Sequence, residues 1–155
     1  MWIRLQSGDS VSFANDTSEE CCGVSNSFLG TLPSGHLLIQ TTFEDGIRVS
    51  IIDPRDGRTV EVSSRPIPSP SGRFFAAGGD ELPSDEPVSI WRLDTASNWV
   101  QEYAASQGVR GDVWMPSELH WLDDTTLHYE RDAPDTSGAD ITLVRRDGRW
   151  QQKRP

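Results

Sequence analysis

Cysteine and long apolar runs are scarce in this chain of 155 residues. Its two cysteines, Cys21 and Cys22, are adjacent, and adjacent cysteines rarely bridge because the resulting ring is strained. This excludes a disulfide-stapled scaffold, and two thiols are too few ligands for a zinc site of their own. Because no stretch of about 18 apolar residues occurs, we expect no segment that spans a membrane.

Positive charge is also in short supply. The formal net charge is −10 at pH 7, so the surface repels the phosphates of nucleic acids and of anionic membranes. We therefore expect neither nucleic acid nor a membrane as a partner. No signal peptide is visible at Met1, which favours the cytoplasm; a chain whose leader had been removed would instead be periplasmic or secreted.

Recognisable catalytic and ligand-binding motifs are missing as well. The chain has no Gly-x-Ser-x-Gly elbow and no phosphate-binding or dinucleotide-binding glycine pattern. Its histidines, His36, His120 and His128, do not follow the short spacings of zinc sites, so we expect no metal and no cofactor. One alternative stays open, which is calcium held by the carboxylates of the loop Asp132–Asp140.

What the chain does contain is a recurring pattern of short β-rich runs separated by turn residues such as Asp-Gly, Ser-Gly and Asp-Asp. No segment shows a sustained apolar period of about 3.6 residues, so the pattern predicts an all-β protein. We interpret residues 1–155 as a single domain. It comprises an N-terminal hairpin and acidic loop (1–26), followed by three repeat units at 27–64, 65–105 and 117–155.

Apolar residues alternate with other residues in the corresponding strands of these units, which predicts one buried face for each strand. We expect the side chains of this face to be buried together. The predicted core residues are Leu38, Val49, Ile51, Phe75, Val88, Ile90, Leu127, Ile141 and Leu143.

A family resemblance rests on the turn Ser69-Pro70-Ser71-Gly72, the small-residue strand that follows it and the pair Ile90-Trp91. Residues 65–94 resemble one blade of a WD-repeat β-propeller, and the other units are similar to it more loosely. The resemblance implies antiparallel four-stranded meanders in a partial or undersized propeller-like arrangement, because about three and a half units fall short of an ordinary ring. A partner or a second copy of the chain would supply the missing strands, so a homodimer is one expectation.

Acidic residues and one tryptophan concentrate in three loops, Asp80–Pro87, Gln107–Trp114 and Asp132–Asp140. Two of these loops join the second and third strands of a unit, so we expect the loops at one end of the meanders. They predict a binding surface made of Trp114, Asp80, Glu81, Asp85, Glu86, Asp112, Asp132 and Asp135. Trp114 has two equally supported interpretations, as the central aromatic contact of that surface or as a cap on the β core.

These features favour a non-catalytic module that binds a basic protein. One concrete form is an inhibitor or immunity-type protein that neutralises a basic enzyme or a bacterial toxin, since an acidic surface steers a protein towards a basic cleft. Two alternatives stay open. One is a scaffold or oligomerisation subunit that completes a propeller with a partner, and the other is a glycan-active enzyme that uses loop carboxylates beside Trp114.

Overall fold

The computed structural model describes residues 1–16, 23–44, 46–78, 86–107, 114–133 and 136–153. Within these ranges it contains no helix, which confirms the all-β prediction, and hence no helix there is long and apolar enough to cross a membrane. The strands are β1 (Trp2–Arg4), β2 (Ser10–Ser12), β3 (Ser25–Thr31), β4 (Leu37–Phe43), β5 (Gly46–Ile52), β6 (Thr59–Val62), β7 (Ile67–Pro68), β8 (Phe74–Ala77), β9 (Ser89–Leu93), β10 (Trp99–Ala104), β11 (Met115–Asp123), β12 (Thr126–Ala133), β13 (Thr136–Arg146) and β14 (Arg149–Gln152).

The strands form three four-stranded sheets and one two-stranded sheet. The four-stranded orders are β3-β4-β5-β6, β7-β8-β9-β10 and β11-β12-β13-β14, while β1 pairs with β2. Every pairing is antiparallel and joins strands that are consecutive in the chain. This confirms the predicted antiparallel meanders. The propeller-like arrangement of the sheets stays a prediction.

Tight turns reverse the chain at the predicted positions. Between β13 and β14, Asp147 and Gly148 have φ angles of 50° and 78°, as a type I′ hairpin turn requires. Before β8, the N–H of Gly72 donates to the carbonyl oxygen of Ser69 over 2.8 Å. The sequence pattern does not predict β7, because a strand of two residues is too short to show alternation.

The chain divides into two compact units, Met1–Arg65 and Pro66–Pro155. Unit 1 contains β1 to β6, and unit 2 contains β7 to β14. The second and third predicted repeats therefore share unit 2, whereas the first repeat and the N-terminal hairpin form unit 1. That the whole chain is a single domain stays a prediction.

In unit 1 the two-stranded sheet packs on one face of β3–β6. Leu5, Ile39 and Ile52 are buried together there, and Ile3 is partly buried against them. Gly57 comes so close to this cluster that an added Cβ atom would lie 2.8 Å from Cδ1 of Leu5. Gly57 also has a φ angle of 78°, so the backbone conformation favours glycine at this turn and a larger residue would displace the side chain of Leu5.

In unit 2 the sheets β7–β10 and β11–β14 share one core, in which Val88, Ile90, Leu127 and Leu143 are completely buried. The burial of the predicted core residues is confirmed within each unit, whereas their burial together in one cluster stays a prediction. Leu38, Val49, Ile51, Phe75, Val88, Ile90, Leu127 and Leu143 are all buried, and Ile141 is partly buried against the core of unit 2. Alternation with period two identifies the inward side of β12 correctly, where Leu127 and Tyr129 are buried. The prediction of one buried face for each strand is wrong for β5 and β8, in which residues on both faces are buried. In β5 the reason is that the two-stranded sheet covers the second face at Ile52.

Candidate functional site

The bases of the three acidic loops meet at one end of unit 2. A Cβ atom on Gly78, which follows β8, would lie 2.5 Å from the carbonyl oxygen of Pro87 and 3.2 Å from Cγ of Pro116. Met115, at the start of β11, pairs with Asp132 near the end of β12. The segments after β8, β10 and β12 therefore leave the two sheets on the same side, which we call the acidic end.

The opposite end of unit 2 is held by contacts between its two sheets. The backbone N–H of Ser71 donates to Oδ1 of Asp124 over 2.9 Å, and this bond helps to keep the pKa of Asp124 below its ordinary value. The indole N–H of Trp121 donates to the carbonyl oxygen of Ile67, also over 2.9 Å. Both sheets are thus fixed relative to each other, which gives the loops of the acidic end a rigid base.

A side chain clamps the chain where it connects β10 to β11. Gln107 donates from Nε2 to the carbonyl oxygen of Trp114 over 3.1 Å and accepts from the Trp114 N–H at Oε1 over 3.0 Å. One amide side chain therefore satisfies both backbone polar groups of Trp114, much as a neighbouring strand would. The clamp holds the two ends of the connection together and directs Trp114 towards the core.

Trp114 is part of the core rather than of the surface. Its side chain is only 3% exposed, and its ring stacks on Tyr129 with centroids 5.9 Å apart and an interplanar angle of 7°. The Arg131 guanidinium lies 4.9 Å from the centroid of the Trp114 ring. The prediction of Trp114 as the central exposed contact is therefore wrong, and the alternative interpretation, a cap on the β core, is correct. The physical reason is that burial of a large aromatic surface outweighs exposure once Gln107 satisfies the backbone.

The structure describes two of the predicted acidic residues, and both are exposed. Glu86 lies before β9 and accepts a hydrogen bond from Nε2 of Gln101 at 2.7 Å, while Asp132 lies near the end of β12. The other predicted acids lie outside the described residues, and their places on this surface stay predictions. They are Asp80, Glu81, Asp85, Asp112 and Asp135.

Strand pairing adds one carboxylate that sequence reasoning missed, Glu130. It also corrects the predicted loop Asp132–Asp140, because Asp132 lies on β12 and Asp140 on β13. Glu130 on β12 pairs directly with Asp140 on β13, and Asp132 lies on the same face two residues beyond Glu130. A Cβ atom at Gly138 would lie 3.1 Å from Oδ1 of Asp132 and 3.7 Å from Oε2 of Glu130. We call Glu130, Asp132 and Asp140 the acidic strand cluster. The alternation along β12 could have revealed that Glu130 and Asp132 share a face, because Leu127 and Tyr129 point inward and the residues that alternate with them point outward.

Two histidines adjoin this cluster on the outer face of the sheet. His120 and His128 pair across β11 and β12, with ring centroids 5.1 Å apart, and Nε2 of His128 lies 3.7 Å from Oδ1 of Asp140. Among the described residues no group of three or more potential ligands is arranged to hold a metal ion. The calcium alternative also involves Asp135, which lies outside those residues.

A largely buried carboxylate joins the two sheets of unit 2. Glu102 on β10 accepts hydrogen bonds from Nε of Arg145 at 2.8 Å, from Nε1 of Trp150 at 3.2 Å and from Nε of Arg92 at 2.5 Å. Its side chain is only 12% exposed. Burial raises the pKa of Glu102, but the hydrogen bonds from Arg145 and Arg92 outweigh burial, so the pKa lies below its ordinary value. Glu102 is therefore ionised and acts as a structural tie.

Unit 1 contains a Ser, a His and an Asp in proximity, but the arrangement does not form a catalytic triad. Ser34 Oγ lies 3.0 Å from Nδ1 of His36, whereas Nε2 of His36 lies 4.0 Å from Oδ2 of Asp53, beyond hydrogen-bonding distance. Asp53 instead bonds to Arg55, whose hydrogen bonds lower the pKa of Asp53 to about 2. Because His36 and Asp53 are both buried, we assign them to the structure of the turn after β5.

Comparisons with protein-family models, with curated proteins and with solved structures found no match. The function must therefore be inferred from the surface chemistry of the chain itself.

Proposed function

We propose that this protein is a non-catalytic binding module whose acidic end in unit 2 binds a basic protein. The observation that carries the proposal is the convergence of the acidic loop bases beside the acidic strand cluster. Glu86, Glu130, Asp132 and Asp140 combine in one unit of a chain whose net charge is −10. Carboxylates of one sign on a common surface raise the local concentration of a cationic partner and its association rate.

The partner that fits best is an enzyme with a basic active cleft, such as a bacterial toxin, which the module would inhibit in the manner of an immunity protein. A basic cleft and an acidic surface are complementary in charge. Because Trp114 is buried, we assign recognition to the carboxylates rather than to an aromatic anchor. Glu86, Asp132 and Asp140 are exposed, and Glu130 is half-buried. The burial of Trp114 also removes the aromatic platform on which the glycan-active alternative relied.

We also propose that the three meanders are repeats of the WD-repeat kind. Their consecutive strand order and the turn Ser69–Gly72 support this relationship. The role as a binding module agrees with it, since propellers present loops at the ends of their sheets. A WD-repeat arrangement would place the acidic end among such loops. This part of the proposal does not depend on which protein the partner is.

The test measures association with the protein encoded beside this gene. We expect binding whose association rate falls steeply as salt rises, and we expect the double variant Glu130→Gln/Asp132→Asn to slow association about three- to tenfold with little change in dissociation. Stopped-flow or surface-based kinetics at several ionic strengths gives both quantities.

The matched control is Asp147→Asn, which removes one exposed charge from the β13–β14 turn at the opposite end of unit 2. Asparagine tolerates the positive φ angle of this position, so the fold should be unaffected. The control should associate at almost the wild-type rate. Association that is indifferent to salt and to the double variant, or no binding at all, would contradict the proposed function.

A further inference from the structure

The two-stranded sheet of unit 1 has half as many strands as every other sheet in the described chain. It consists of β1 and β2 with Trp2 opposite Ser12, Ile3 opposite Val11 and Arg4 opposite Ser10. Strands at the edge of a sheet carry unpaired backbone groups that can accept another strand. Two strands form few backbone hydrogen bonds of their own, and although this sheet packs on β3–β6, an additional strand at its edge would add hydrogen bonds.

The hydrogen-bond pattern shows which backbone groups of β1 face outward. Met1 and Phe13 exchange hydrogen bonds at 2.7 and 2.9 Å, and the N–H of Leu5 donates to the carbonyl oxygen of Asp9 at 2.8 Å. Hydrogen-bonded and non-hydrogen-bonded pairs alternate along two antiparallel strands, so the backbone N–H and C=O of Ile3 also face β2. The backbone groups of Trp2 and Arg4 therefore face away from β2, towards the open edge.

The side chains on this edge are an aromatic ring and a cation. Ile3 and Val11 turn inward and pack against the cluster of Leu5, Ile39 and Ile52. Trp2 and Arg4 lie on the opposite, solvent-facing side of β1, and the Trp2 side chain is 77% exposed. The edge thus combines free backbone groups with a large exposed aromatic surface and a guanidinium two residues away.

We propose that two copies of this chain associate through β1, antiparallel, about a two-fold axis at Ile3. In this register Trp2 of one copy is opposite Arg4 of the other, and the two residues exchange both backbone hydrogen bonds. The product is a continuous sheet of order β2-β1-β1-β2, which has the four strands of every other sheet in the described chain.

A second copy fits this edge because the edge is complementary to itself. The two-fold operation places an Arg4 guanidinium beside each Trp2 ring, which is a favourable cation–π arrangement, and it does so twice. Opposite residues in antiparallel strands lie close enough for such pairs to stabilise the sheet. The inference does not depend on the acidic end, which belongs to unit 2, so either proposal can fail without the other.

The experiment measures molar mass against concentration by sedimentation equilibrium on the full chain, with any purification tag at the C-terminus. We expect a monomer–dimer equilibrium for the wild type. Trp2→Ala and Arg4→Glu should each weaken dimerisation at least about tenfold, because each removes both copies of the Trp2–Arg4 pair. Hydrogen exchange should slow at the Trp2 and Arg4 amides as the protein concentration rises.

The matched control is Phe28→Ala, which removes another exposed aromatic side chain from unit 1, on β3. It should leave the dimerisation constant unchanged. Circular dichroism and thermal melting establish that each variant is folded. A wild-type chain that stays monomeric at all accessible concentrations would overturn the inference, and so would a dimer that persists in both Trp2→Ala and Arg4→Glu.

Discussion

Each unit contains a largely buried carboxylate that lies close to two arginines. The two units differ in how far apart these three residues are in the sequence. In unit 1, Asp53 bonds to Arg55, two residues away, and Arg58 lies 3.9 Å from it. In unit 2, Glu102 bonds to Arg92 on the neighbouring strand and to Arg145, which belongs to the other sheet. The Asp53 cluster is local in sequence and shapes a turn, whereas the Glu102 cluster joins two sheets.

The difference has consequences for stability. Arg55 is an exposed side chain that can be replaced by water when the turn opens, so the Asp53 cluster stabilises mainly its own turn. Arg145 is three-quarters buried, and its guanidinium also lies 5.3 Å from the centroid of the Phe74 ring. Removing its carboxylate partner would leave a desolvated charge between the sheets. We therefore expect the two clusters to respond differently to substitution and to pH.

The largest loss of stability should come from a packing change in the core of unit 2, and it is the reference for the losses expected at the two carboxylate clusters. Ile90→Ala should lower the free energy of unfolding by about 4 kcal/mol, because Ile90 is completely buried between the sheets of unit 2 and its truncation leaves a cavity. Urea unfolding measures this change. The control Val100→Ala, on the same sheet but 41% exposed, should cost less than about 1 kcal/mol. A loss below about 1 kcal/mol for Ile90→Ala would contradict the assignment of this core.

The next largest loss of stability should come from replacing Glu102, the carboxylate that joins the two sheets of unit 2. Glu102→Gln should lower the free energy of unfolding by about 3 kcal/mol, because it leaves the guanidinium of Arg145 partly buried without its counter-charge. The same assay on Glu61→Gln provides the control, since Glu61 pairs with Arg48 at 3.3 Å where both side chains are 54% exposed. That surface pair should contribute less than about 1 kcal/mol. Equal losses for the two variants would refute the role of Glu102 as a tie.

The smallest loss of stability should come from replacing Asp53, the carboxylate of the turn after β5, and this loss should depend on pH. The folded-state pKa of Asp53 is about 2, below the ordinary value, so its ionisation stabilises the fold above about pH 4. We expect Asp53→Asn to cost about 2 kcal/mol at pH 7, and we expect this difference from the wild type to vanish as the pH falls towards 2. Urea unfolding of both proteins across this range measures the difference. A difference that is independent of pH would show that Asp53 acts through packing rather than charge.

The agreement between sequence and structure is best where the determinants are local. Asp147–Gly148 and Gly72 mark their turns because few residues adopt positive φ angles. The alternation along β12 marks Leu127 as part of a buried face because side chains alternate along any strand. Composition and turn spacing were therefore sufficient to predict an all-β chain of consecutive antiparallel strands.

The errors concern residues whose environment depends on distant partners. Trp114 follows a glycine-rich connection, and its position in the chain is equally compatible with exposure and burial. Only the clamp by Gln107 and the stack on Tyr129 place it in the core. Likewise, the acidic strand cluster requires the register that pairs Glu130 with Asp140, and that register is a property of the sheet.

The sequence by itself determined that the chain is all-β, where most of its strands and turns lie and which residues of β12 point inward, because backbone sterics and side-chain alternation act over a few residues. It also determined the strongly negative charge. Tertiary structure decided which carboxylates share a surface, which tryptophans are buried and that Glu102 joins two sheets to Arg145. These outcomes depend on strand register and sheet packing, which bring together residues that are far apart in the chain and carry no local signal of their eventual neighbours.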